Sequence, residues 1–322
     1  IHAVLLVLVV MNFATYAFAQ FREQEDPIGV QLGETVAQRW IAGCEFTAGQ
    51  KGSRHVVVTA PIPANWPEQR VRVISEDTSS GTRLTYRNLP PGVWQMVAVN
   101  DHVSAGRTFR ALVTFEVARA EQIPPEDTSI IVLATSRTMP TQARVFLRHS
   151  KFTESNNPRM RTIFSEATSG PESDWEKILA VYDYVRDNVQ YKDEDDAKGA
   201  LDTLEDGTGD CKAMTALFVA ICRAGNVPAR TVWVDGHCYP EFLMLDDEGE
   251  PHWFPCQIAG TYAFGGMPDL RIILSKGDLF RTPEKPDTTQ RFVGDYLRTL
   301  INRTSSPPVT DSIDFRHDRL TD

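Results

Sequence analysis

Clustered positive charge is missing from this chain of 322 residues: 33 Lys and Arg stand against 43 Asp and Glu, a formal net charge of −10. Phosphate backbones and anionic lipid are bound by grouped cations that release counterions, so nucleic acid is not an expected partner. Internal repeats and low-complexity tracts are also lacking, which excludes solenoids and fibrous folds. The five cysteines, Cys44, Cys211, Cys222, Cys238 and Cys256, include no short Cys-x-x-Cys spacing. A zinc site assembled from Cys238, His252 and Cys256 is therefore a weak reading, and no metal or organic cofactor is expected. After the first twenty residues no apolar run approaches the length that spans a bilayer.

That first stretch, IHAVLLVLVVMNFATYAFAQ, ends in the small-x-small pattern Ala17-Phe18-Ala19. It reads as a secretory leader over 1–19, cleaved before Gln20, with an uncleaved membrane anchor as the alternative. No basic segment precedes the apolar run. Export to an extracytoplasmic compartment, periplasmic or secreted, favours disulfides, and an odd cysteine count leaves at least one thiol unpaired within the monomer.

Length makes two domains the expectation. From Arg39 to about Phe146 the chain reads as strands: QRVRVI alternates through Val71 and Val73, FRALVTFEV alternates through Ala111, Val113, Phe115 and Val117, and NLPPGVW supplies a turn. A β-sandwich-like domain over 20–150 fits this pattern, with Trp66, Trp94 and His102 as packing and surface residues. RHSKFTESNNPR then leads into helical sequence, placing a second domain at 151–295 and a mobile polar tail at 296–322. Ser173 and Glu176 form a capping box ahead of an apolar stripe of Trp175, Ile178, Leu179, Tyr182, Val185 and Val189. The acidic run KDEDDAK reads as a solvated loop, since it lacks the ligand spacing of a calcium loop.

In GTGDCKAMTALFVAICRAGNVPAR, Met214, Leu217, Phe218, Ile221 and Cys222 recur at helical spacing, and Gly225 with Pro228 marks the end. Cys222 lies on the buried stripe and reads as an inert core thiol. Cys211 instead sits at the head of the helix, where free backbone N–H groups and the helix dipole stabilise a thiolate.

LDTLEDGTGDCKAMTALFVAICRAGNVPAR, followed by HCYPEF and HWFPCQ, resembles the transglutaminase-like superfamily of papain-type thiol enzymes. The three blocks stand in the family's order over about residues 170–280. The resemblance implies an α+β, papain-like core in which a helix bearing the Cys packs on an antiparallel sheet. It makes Cys211 the nucleophile and His237 its general base, acting on a peptide or protein amide through an acyl-thioester that water or an amine resolves. Where the family carries Asp to orient the imidazole, this chain has Gln257. Its amide oxygen accepts from an imidazole N–H but cannot neutralise an imidazolium. Asp235 and Asp269 are substitutes away from the family position. The competing reading is a catalytically weakened binding or scaffold protein of the cell envelope; a redox or metal protein built on the cysteine-rich hairpin ranks third.

Strands at HCYPEFLML and EPHWFPCQ are joined by the turn-rich DDEGEP. If His237 lies opposite Gln257 in an antiparallel pair, Cys238 faces Cys256 on the other side of the hairpin, and the two form a disulfide. His252 reads as a surface histidine, Glu241 as a structural polar group, Arg230 as an anchor for its strand, and Tyr191 and Trp233 as packing or cleft-wall residues. The backbone N–H of Cys211 is the one oxyanion donor that can be named.

Overall fold

A computed structural model of the chain describes residues 29–193, 197–301 and 311–320; the leader assigned to 1–19 and part of the acidic run lie outside them. Six strands come first: β1 (Gln31–Thr47), β2 (Ser53–Ile62), β3 (Gln69–Thr78), β4 (Thr82–Leu89), β5 (Val93–Val103) and β6 (Thr108–Ile123). A helical segment follows, with α1 (Pro158–Ala167), α2 (Asp174–Asn188), β7 (Gln190–Tyr191), α3 (Ala200–Asp206), β8 (Thr208–Gly209) and α4 (Cys211–Ala224). The remaining strands are β9 (Ala229–Val234), β10 (His237–Leu245), β11 (Pro251–Gln257), β12 (Ala263–Phe264), β13 (Ile273–Lys276), β14 (Phe280–Thr282), β15 (Lys285–Gln290), β16 (Tyr296–Ile301) and β17 (Ser312–Leu320). The architecture is mixed α/β with mostly antiparallel sheets; β7 and β8 make the one parallel pair among the described strands.

Alternation builds the strand-rich part. Trp40, Ala42, Cys44 and Phe46 of β1 and Ala111, Val113, Phe115 and Val117 of β6 bury one face of a sheet ordered β17-β1-β6-β3. They close on Val56, Val58 and Ala60 of β2 and Met96 and Ala98 of β5 in a shared core. Cys44 lies inside it, where burial pushes its thiol up to about 12.

The second large sheet runs β12-β11-β10-β9-β13-β5-β2-β16, with β4 also on β5, so a single sheet carries strands from both sides of residue 150. Helices cover its β9–β11 region. There Phe242 touches Trp175, Phe254 and Phe264, at ring separations of 6.0, 5.8 and 5.2 Å. The capping box at the head of α2 is formed: Ser173 Oγ accepts from the Glu176 N–H at 3.2 Å, and Glu176 accepts from the Ser173 N–H at 3.3 Å. Leu179 falls at the margin of the α2 stripe and Val181 joins its buried centre.

α4 is buried from Ala213 to Ala224, beyond the single stripe that its periodicity predicts, because the other helices enclose the side turned away from the sheet. Arg223 survives there by pairing with Asp278 at 2.6 Å and donating to the Arg148 and Ala229 carbonyls.

Over its described residues the segment 296–322, read as a mobile polar tail, is corrected: β16 pairs with β2 and β17 with β1, while 302–310 and 321–322 lie outside the described residues. Its polarity conceals alternation. Leu297, Ile313 and Phe315 turn toward the shared core while charged neighbours face out. Among the described residues no helix is long and apolar enough to cross a membrane.

Candidate active site

The sequence GTGDC is a device for presenting a thiol at a helix head. β8 pairs in parallel with β7 and delivers Asp210 to the start of α4. A side chain at Gly209 would place its Cβ 2.8 Å from the Ala213 methyl, so glycine permits the close approach. Asp210 is the N-cap: one carboxylate oxygen accepts from the Ala213 N–H at 2.9 Å, and the other pairs with Lys212 Nζ at 2.9 Å. Cys211 is therefore the first helical residue, half-buried, its own N–H among the donors that lack an intrahelical acceptor.

His237 is placed by a tight hairpin. β9 and β10 are joined by Asp235-Gly236, with Val234 opposite His237 and Gly236 at φ 64°, the left-handed backbone that such two-residue turns require. From this corner the His237 imidazole comes near enough to Cys211 for each to favour the other's charged form. Gln257 Oε1 lies 2.9 Å from His237 Nε2, so the ring donates to the amide oxygen and turns Nδ1 toward sulfur. The main chain of Gln257 is itself held: its carbonyl accepts from Tyr182 Oη at 3.0 Å and Arg186 Nη1 at 2.9 Å. These two anchors on α2 carry no signal in the sequence.

The expected register of the second hairpin is corrected. Glu241 lies opposite Pro255 and Leu245 opposite Pro251, a shift of two residues from the alignment of His237 with Gln257. Asp246 sets the wider loop, since its carboxylate accepts from the N–H groups of Glu248 and Glu250 at 3.0 and 2.8 Å and from His252 Nε2 at 2.8 Å. Beyond Glu241 and Pro255 the strands part: β10 continues on β9, and β11 on β12. Pro240 and Pro255 lack the N–H that would continue the ladder. Gln257 reaches His237 across this gap.

Cys238 and Cys256 consequently do not pair, and all five thiols are free. Cys256 is buried in the helical core, and Cys238 faces the head of α4. The Cys211 thiol is lowered to about 4, chiefly by a hydrogen bond from the Cys238 thiol; burial opposes this, and His237 adds a hydrogen bond and its charge, with the Cys238 N–H donating as well. Burial works to lower His237, yet its bonds to Cys211 and Gln257 raise it above the ordinary imidazole value. Burial and the neighbouring Cys211 push Cys238 up. The pair therefore divides into an ionised Cys211 and a protonated Cys238.

Asp269 shares a pocket with His237 and Gln257, but Arg271 binds its carboxylate through Nε at 2.8 Å. Arg271 acts to lower His237, while against burial the His237 charge helps Arg271 to hold the Asp269 carboxyl low. Asp235 occupies the hairpin turn. Beside His237 opens a cleft of about 590 Å³ walled by Tyr191, Met214, Arg186 and Gly260. Tyr191 is 55% exposed and stands free at its edge rather than packing. Trp233 is buried, donating from Nε1 to the Gly277 carbonyl at 2.8 Å.

Glu241 and Arg230 lie away from the thiol. Arg230 pairs with Glu241 at 2.7 Å and stacks 3.8 Å from the centre of Trp253, while Lys276 Nζ bridges Glu241 and Glu68 at 2.6 and 2.5 Å. A larger cavity, of about 720 Å³, opens beside Arg230 and Trp253 and includes neither Cys211 nor His237. His252 is engaged with Asp246, and no cluster of three metal-ligating side chains exists among the described residues.

Residues 161–258 match the family model of the Transglutaminase-like superfamily. No curated protein matches the chain. Among solved structures, a putative cysteine protease from Cytophaga hutchinsonii superposes with a TM-score of 0.56 at 13% identity, covering 89% of this chain and 100% of its own. A putative protease from Parabacteroides distasonis aligns at 12% identity over 72% of this chain and 47% of its own, with a TM-score of 0.29. The chain thus carries a transglutaminase-like domain in a fold similar to that of the Cytophaga protein.

Proposed function

We propose that the protein is an exported thiol amide hydrolase or peptidase, working through Cys211, His237 and Gln257 on a peptide or protein amide. The observation that carries this reading is the 2.9 Å contact of His237 Nε2 with Gln257 Oε1, which orients the imidazole beside the Cys211 thiol at the head of α4. In the resting pair the thiolate faces an imidazolium. The thiolate attacks the amide carbonyl, and the developing oxyanion meets the Cys211 N–H at the helix head. His237 gives its proton to the departing amine, leaving an acyl-thioester. Water, or an amine in transamidation, attacks that ester while His237 takes up a proton, and the thiolate returns. Gln257 keeps Nε2–H occupied so that Nδ1 faces the reaction. This chemistry calls for no metal or cofactor.

The apolar leader-like segment supports export with cleavage before Gln20 and a workplace in the cell envelope or outside it. The two sheets that close on Trp40, Phe46 and Phe115 support a β-sandwich unit built mainly from strands ahead of the thiol domain and completed by strands that follow it.

The test is the alkylation rate of Cys211 against pH, followed by mass spectrometry in wild type and His237→Ala. A free thiol reacts in step with a pKa of about 8.5. Rapid alkylation of wild type near pH 6, falling at least tenfold in His237→Ala, is the expected result. A Cys211 that behaves as a free thiol in both proteins overturns the enzyme reading and favours a binding protein that kept the fold.

A further inference from the structure

Cys238 forms no bond and moves no proton in the proposed amide cleavage, yet its side chain packs with the nucleophile in one apolar cluster. β10 alternates: Phe242 and Met244 enter the helical core, and Cys238, of the same parity, meets the first turn of α4. Its thiol donates to Thr215 Oγ1 at 3.8 Å, one turn further along α4, and Cys211 packs against the same apolar cluster. Its main-chain N–H adds to the lowering of Cys211. Leu89, Val93, Trp233, Phe280 and Val293 enclose it, leaving it 0% exposed. Cys211, in contrast, is only half-buried. One sulfur is therefore partly accessible and ionised while the other, packed behind it, is protonated and shielded. Cys222 and Cys256 lie within the helical core and Cys44 in the other core, so neither group competes.

We propose that Cys211 and Cys238 form a peroxide-driven disulfide that reversibly silences the site. This rests on the reading of Cys211 as a thiolate nucleophile. The Cys211 thiolate attacks one oxygen of hydrogen peroxide, the O–O bond breaks, and sulfenic acid and hydroxide result. The Cys238 thiol then attacks the sulfenic sulfur. The S–S bond forms, the S–O bond breaks, and the Cys238 proton leaves with the departing hydroxide as water. Two thiols are oxidised and one peroxide reduced to two waters; a thiol reductant reverses the bond. The linkage ties the head of α4 to the strand beginning at His237, holding sulfur away from the substrate side. It also spares Cys211 from irreversible sulfinic acid, because a resolving thiol is already packed in the same cluster.

The experiment treats intact wild-type protein and Cys238→Ser with equimolar hydrogen peroxide and maps unreduced peptides by mass spectrometry. Cys211 alkylation at mildly acidic pH is measured alongside without oxidant. The expected wild-type result is a Cys211–Cys238 linked peptide, a fall in titratable thiols from five to three, and full recovery with dithiothreitol. In Cys238→Ser, shown to melt as wild type does, dimedone traps a Cys211 sulfenate that proceeds to sulfinate. Fast alkylation of wild-type Cys211 combined with sulfinate and no link overturns this inference and leaves the proposed function standing. A Cys211 inert to both reagents overturns the two together.

Discussion

Replacing Gln257 by Glu changes one atom for another of similar size and inserts the charge that the site lacks. The main chain there is fixed by Tyr182 and Arg186, so the new carboxylate occupies the place of the amide, 2.9 Å from His237 Nε2. Measured to the centre of the imidazolium, the separation is about 4 Å. At that distance two unit charges interact by about 4 kcal/mol at an effective dielectric of 20, and about 1 kcal/mol in bulk water. One pH unit corresponds to about 1.4 kcal/mol, so His237 should retain its proton about one to three units higher in Gln257→Glu. The open cleft beside the ring favours the lower half of that range. In Gln257→Ala the accepting oxygen is gone, and the midpoint should fall below that of wild type. The assay is a carbon-13 NMR titration of histidine-labelled protein, with His237 assigned among seven histidines by its absence in His237→Gln. Because the imidazolium supports the thiolate, the acid limb of Cys211 alkylation should move down in pH as the His237 midpoint moves up. An unchanged His237 midpoint in a natively folded Gln257→Glu protein would refute the pairing of Gln257 with His237.

Lys276→Met should cost about 3–5 kcal/mol in urea unfolding, because Glu68 and Glu241 are left facing each other with their bridging cation removed. Burial raises Glu241, but Lys276 and Arg230 hold it below the ordinary carboxylate value. Its stabilisation is therefore complete above the unfolded pKa of about 4.3 and lost as pH falls through the lower folded value, and Glu241→Gln should flatten stability below about pH 5. Ser173→Ala should lower stability by about 1 kcal/mol through loss of the α2 cap, read from the shift in urea midpoint at unchanged slope. Deleting residues 312–322 removes Ile313 and Phe315 from the shared core and bares the edge of β1, so the melting temperature should drop; an unaltered melt would show that the segment adds nothing to the fold.

What the sequence revealed about the site depended on how locally each part was encoded. GTGDC, the α4 periodicity and the α2 capping box are written within a few residues of one another, and the structure brings Cys211, His237 and Gln257 together. The second hairpin was less legible, because its register depends on how Asp246 folds the loop and where two prolines end the ladder. Alternation correctly separated Cys238 and Cys256 from the side of His237 and Gln257. It did not disclose that Cys238 would meet Cys211, since that contact joins a helix end to a strand end. The tail misled for a different reason: an edge strand with one partly buried face can be as polar as a disordered segment, and only its partner strand tells them apart.

The pairing of β16 with β2 and β17 with β1 also bears on the order in which the protein is made. The first two strands leave the ribosome long before the strands that complete their sheets, with the whole thiol domain synthesised in between. Their outer edges then wait unpaired, open to other chains, and closure demands contacts between opposite ends of the sequence, the slowest kind to form. A nascent chain can thus assemble the local hairpin and helix around Cys211 while its supporting sheets are still incomplete. The interval before β17 arrives is the period in which a chaperone holding the β1 edge would do the most to prevent aggregation.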